Sequence, residues 1–106
     1  MNSTIYGKIA DLLLFGVNFN SNDKLLIRIS PDQRPAALEV MKKAYRKGAA
    51  YVGIQASDNY EMRYAIEGSE NDPFFPSYLE AMYKETTQPG WKMIGIFSEA
   101  DCDALD

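Results

Sequence analysis

The segment KLLIRISPDQRPAALEVMKKAYRKGAAYVGIQAS, Lys24 to Ser57, sets the tightest limit on the fold. KLLIRIS is too short for a stable helix and rich in branched residues. It therefore reads as a strand, Lys24 to Ser30, buried on both faces. Pro31 and Pro35 then break the chain, and Pro35 falls in the first turn of a helix, where a missing N–H costs nothing. From Pro35 to Lys47 the apolar Ala37, Val40, Met41, Ala44 and Tyr45 fall on one face, while Glu39, Lys42, Lys43, Arg46 and Lys47 fall largely on the other. The basic residues crowd the C-terminal half, which the helix dipole favours, and Gly48 supplies the stop. AAYVGIQAS makes a second strand, Ala50 to Ala56. Strand, helix and strand joined this tightly form a right-handed crossover with parallel strands.

The flanks extend the same pattern. In STIYGKIADLLLFGVNF, Ile5, Ile9, Leu12 and Leu13 recur at helical spacing, Ser3 or Thr4 can cap the start, and Gly16 sits where a left-handed residue would end the helix. DNYEMRYAIEG reads as a helix from about Asp58 to Glu67. SENDPFFPSYLEAMYKETTQPG reads as a proline-bounded loop and a helix from about Pro76 to Thr86. WKMIGIFS, Trp91 to Ser98, is a third strand, followed by the acidic EADCDALD. The expected fold is one α/β domain over residues 1–106: three layers, with a small parallel sheet of about three strands and helices on both faces.

Composition narrows the chemistry. The 106 residues are 46% apolar and 12% aromatic, enough for one modest core. Asp and Glu number 15 against 11 Lys and Arg, the latter scattered in sequence, which argues against a nucleic-acid partner. No apolar run approaches the roughly 20 residues that span a bilayer, and Lys8 and Asp11 interrupt the N-terminal region that a signal peptide would keep apolar. Cys102 is the single cysteine. A cytoplasmic protein with no membrane partner is the expectation. Histidine is absent from the whole sequence. That excludes a Ser-His-Asp triad, a Cys-His pair, a His-ligated zinc site and a His general base.

Ligands of open parallel sheets bind beyond the carboxyl ends of the strands. Those ends carry Ser30, Pro31 and Asp32, then Ser57 and Asp58, then Ser98, Glu99 and Asp101. Clustered carboxylates there could bind magnesium, as a phosphoryl-transfer enzyme would need. Asp, Asn and Ser are equally the favoured turn and cap residues at such junctions in any fold of this type. SPDQRP has no glycine to let a phosphate approach the backbone. Cys102 lies among acids that blunt a thiolate. Tyr45, Tyr51, Tyr60, Tyr64, Tyr78 and Tyr83 could form a stacking platform, but rings at helix faces and strand starts ordinarily rim a core. Phe74 and Phe75, between two prolines, read either as an exposed contact patch or as a staple for the following helix. On residues alone the unit is scaffold: no catalytic, cofactor-binding or metal-binding residue is assigned.

The order of elements is similar to the opening of the thermophilic-type metallo-aminopeptidases, the aminopeptidase T and aminopeptidase S family. The matching positions are Ala10 to Leu13, Leu25 to Ile27, Ala44 and Tyr45, Gly48 and Ala49, Tyr51 and Val52, and Ser57 with Asp58. The stretch Trp91 to Asp101 resembles the family's third strand and its acidic turn. Asp23, in place of a common Gly-Gln or Gly-Glu, and the SPDQRP turn depart from the pattern. The resemblance implies a parent enzyme that removes N-terminal residues from peptides with two divalent metals, zinc or cobalt, and that is a homodimer. The family's metal ligands lie beyond residue 106, so none is carried over. The expectation is a non-catalytic N-terminal domain that shapes the substrate cavity, a fragment of a longer chain. The alternative is a free-standing flavodoxin-like binding or regulatory module with an acidic ligand surface at its strand ends.

Overall fold

Residues 3–57, 59–69 and 76–97 are described in the structure, a computed structural model. The elements run α1 (Ser3–Gly16), β1 (Lys24–Ile29), a 3-10 turn (Pro31–Gln33), α2 (Arg34–Arg46), β2 (Tyr51–Ala56), α3 (Asn59–Ser69), α4 (Ser77–Thr86) and β3 (Trp91–Ile96). The three strands form a parallel sheet in the order β2-β1-β3. Lys24 is in register with both Tyr51 and Trp91, and Ile29 with both Ala56 and Ile96. The expected parallel pairing is thus present.

This register sorts the side chains. Leu25, Ile27 and Ile29 of β1 are fully buried on the same face as Val52 of β2 and Ile94 of β3. They join Ala10 and Leu14 of α1 and Ala37, Val40 and Ala44 of α2 in one core. Burying each large aliphatic side chain contributes on the order of 1.5–3 kcal/mol, so the core rests on β1 and the two helices above it. Ala37, Val40 and Ala44 of α2 are small, which lets that helix lie close to the sheet, while α1 packs chiefly against α2.

The opposite face is covered more thinly. Gln55 Nε2 donates to Met82 Sδ of α4 at 3.8 Å, and Trp91 Nε1 donates to Glu85 Oε2 at 3.0 Å, which ties α4 to that side. Gly53 and Gly95 leave room there. A Cβ on Gly53 would lie 3.0 Å from the Tyr51 ring, and one on Gly95 would lie 2.9 Å from the Phe97 ring. The two rings therefore lie along the strands over their glycines. Tyr51, Met93 and Phe97 all remain exposed.

Three points are corrected or refined. Gly16 does not end α1 in the left-handed region; Asn18 does, with φ 54°. The Phe19 N–H donates to Leu14 C=O and the Asn18 N–H to Phe15 C=O, both at 3.0 Å, the pattern of a Schellman cap. This cap returns Phe19 to the core beside Leu14. Second, the polar side of α2 is not wholly solvated. Lys43 and Glu39 are half-buried because α1 lies alongside them. Third, the sequence-derived ends shift by one or two residues, since β1 stops at Ile29, β3 stops at Ile96 and α2 begins at Arg34.

Candidate functional site

At the carboxyl end of the sheet the backbone closes on itself. The Ser30 N–H donates to Ile96 C=O at 3.1 Å and the Ser57 N–H to Ile29 C=O at 3.0 Å, while Gln33 N–H reaches Ser30 C=O at 2.9 Å. Ser30 is 1% exposed. Pro31 enters the 3-10 turn and places Asp32 in its first turn, exposed to solvent. Of the acids expected to converge here, Asp32 alone is among the described residues. Asp58, Ser98, Glu99, Asp101 and Cys102 lie outside them, as do Phe74 and Phe75.

At the amino end, Asp23 Oδ2 accepts the Asn20 N–H at 2.8 Å and closes the turn into β1. The Lys24 N–H then donates to Gly90 C=O, and the Ala50 N–H to Asp23 C=O. On the thinly covered face above this end, Tyr51 and Trp91 meet edge to face with centroids 6.0 Å apart, and Lys24 Nζ lies 6.0 Å from the Trp91 ring. The tyrosines divide between separate places. Tyr45 accepts the Val52 N–H on its hydroxyl at 3.0 Å, Tyr60 and Tyr64 pair at 6.5 Å on α3, and Tyr78 and Tyr83 are exposed on α4.

Two surfaces escaped the sequence reading. On α1, Ile5, Ile9, Leu12 and Phe15 are exposed, Phe15 at 85%. Ile5, Ile9 and Leu12 repeat at helical spacing, which locates the helix, but the face it buries is that of Ala10 and Leu14. The second is the α1–α2 seam. Lys43 Nζ bridges to Asp11 Oδ2 at 2.9 Å, and Lys42 Nζ pairs with Glu39 Oε2 at 3.1 Å. Lys8 and Arg46 share the same groove.

Among the described residues no group of three or more Cys, Asp or Glu side chains is placed to hold a metal ion, and the sequence has no histidine. These residues do not fit a paired metal centre. Among the described residues, too, no helix is long and apolar enough to cross a membrane.

What the parallel sheet and its helices define is a small α/β domain. The sequence model of the thermophilic metalloprotease (M29) family matches residues 4–106, and the chain belongs to that family. No curated protein matches the sequence.

Proposed function

We propose that this chain is a non-catalytic domain of a metal-dependent aminopeptidase, an enzyme that hydrolyses N-terminal residues from peptides, and that it shapes the substrate cavity while a separate domain holds two divalent metals, zinc or cobalt. The observation that carries this reading is the family match over residues 4–106, nearly the whole chain. Two features support the division of labour. The sequence lacks histidine, and several of the described carboxylates serve structure, with Asp23 closing a turn and Asp11, Glu39, Glu67 and Glu80 held in ion pairs. The exposed apolar stripe of α1 offers a surface that a neighbouring domain would cover. The complete enzyme works in the cytoplasm as a homodimer and meets its peptide substrate away from nucleic acid and membrane.

Titration calorimetry with zinc and with cobalt tests the assignment of the metals. The 106-residue chain is expected to give no stoichiometric heat at micromolar metal. Binding of two equivalents, abolished by replacing carboxylates of this chain, would place the metal centre here and overturn the reading.

A further inference from the structure

The seam between α1 and α2 concentrates a charge that the metallopeptidase reading does not use. Up to Ser57 the chain has eight basic and four acidic residues, and after Ser57 three basic and eleven acidic, so a net charge of −4 divides into +4 and −8. Five of those eight cations, Lys8, Lys42, Lys43, Arg46 and Lys47, line one open groove along the seam, a space of about 360 Å³ at its widest part.

Gly7 forms part of the floor. A Cβ there would be in ordinary van der Waals contact with the Lys43 stem at 3.5 Å, so Lys43 lies across α1 at this point. The two acids of the groove are each paired, Asp11 to Lys43 and Glu39 to Lys42. Lys8, Arg46 and Lys47 make no ion pair among the described residues. The helix dipole accounts for part of Arg46 and Lys47 at the end of α2, since it carries about half a charge. It does not account for Lys8, in the body of α1.

The helices run side by side in the same direction, with Gly7 against Lys43 and Glu39, Asp11 against Lys43, and Asn18 and Phe19 beside Lys47. On α1 the groove is lined from Gly7 to Asp11, about 6 Å of helix, the reach of about two extended residues.

We propose that this groove binds an acidic peptide segment laid along the seam, with its carboxylates against Lys8, Arg46 and Lys47. Charge complementarity selects this occupant. The groove is basic on both of its walls, with Lys8 on α1 and Lys42, Lys43, Arg46 and Lys47 at α2 and its C-terminal end. The groove also offers carboxylate acceptors, Asp11 and Glu39, beside its cations. A peptide can answer both with backbone N–H donors and side-chain carboxylates, whereas a phosphodiester backbone brings acceptors alone. The site is separate from the aminopeptidase assignment, and its test reads binding without turnover.

The test is fluorescence anisotropy of the 106-residue chain with a short dye-labelled Glu-rich peptide and its Gln-substituted counterpart, at low and at physiological salt. The Glu peptide binds at least about tenfold tighter than the Gln peptide and weakens as salt rises. Combining Lys8→Glu, Arg46→Glu and Lys47→Glu weakens Glu-peptide binding by about tenfold or more, while Lys84→Glu on α4 leaves it unchanged. Circular dichroism checks that each variant is folded. Should the triple variant not fold, Lys8→Gln alone, exposed on α1, still lowers affinity by about threefold. Equal binding of Glu and Gln peptides overturns the proposal, as does indifference to Lys8→Gln. Duplex DNA or phosphatidylserine vesicles binding as tightly as the Glu peptide also overturns it, in favour of a general polyanion surface.

Discussion

Gly48 and Asn18 perform the same task on different terms. Each occupies the left-handed position of a Schellman cap, Gly48 at φ 96° after α2 and Asn18 at φ 54° after α1. At Gly48 a side chain is barred twice, by its φ and by Ser21 Oγ, which would lie 2.5 Å from a Cβ. Gly48→Ala is therefore expected to destabilise the chain by about 1–3 kcal/mol. Gly7→Ala is expected to stabilise it by about 0.5–1 kcal/mol, because Gly7 lies inside α1 and its Cβ would meet only ordinary contacts. Urea unfolding of the two variants beside the parent checks the opposite signs. The Gly48 cap was legible in the sequence, because a glycine directly follows the basic end of an amphipathic run. The Asn18 cap was not. Gly16 is the better left-handed residue by type, but stopping at Asn18 returns Phe19 to the core next to Leu14, and that burial outweighs the cost of a Cβ at positive φ.

Among the elements, α1 shows how periodicity can locate a helix without fixing which face it buries. Leu14 is 1% exposed and its neighbour Phe15 is 85% exposed. Leu14→Ala is expected to cost about 2–5 kcal/mol, through lost burial and a cavity under α2. Phe15→Ala is expected to stay within about 0.5 kcal/mol. Thermal melts of the two variants, compared with the parent chain, separate these cases. An α1 with apolar residues on more than one side carries several acceptable faces in sequence, and only docking against α2 chooses between them. The strands were easier. KLLIRI, YVGIQA and WKMIGI are short apolar runs bounded by turn residues, and each became a strand. The link between α2 and β2 was not foreseeable, since it depends on the Tyr45 hydroxyl accepting the Val52 N–H. Tyr45→Phe strands that donor and is expected to cost about 1–2 kcal/mol. It should also speed hydrogen exchange at Val52, which NMR would read directly.

At the scale of the molecule, the central strand β1 holds the core and the described part of the sheet leaves β2 and β3 as its edges. The strand order is a long-range property, and no local pattern in the sequence encodes it. The candidate site was legible only in outline. The strand ends could be placed, but whether carboxylates gather there depends on loop geometry, and Asp32 is the one such acid among the described residues. The α1–α2 groove stayed hidden because Lys8 and Arg46 are far apart in sequence and meet only when the two helices pack. Family membership is established by the match over residues 4–106, and the central claim built on it is that this domain supports a metallo-aminopeptidase without performing its chemistry. The most direct measurement is turnover of aminoacyl chromogenic substrates with zinc or cobalt added, for the 106-residue chain and for the product of its uninterrupted reading frame side by side. Turnover by the longer product alone is the expected result, and metal-dependent turnover by the 106-residue chain on its own would contradict the account.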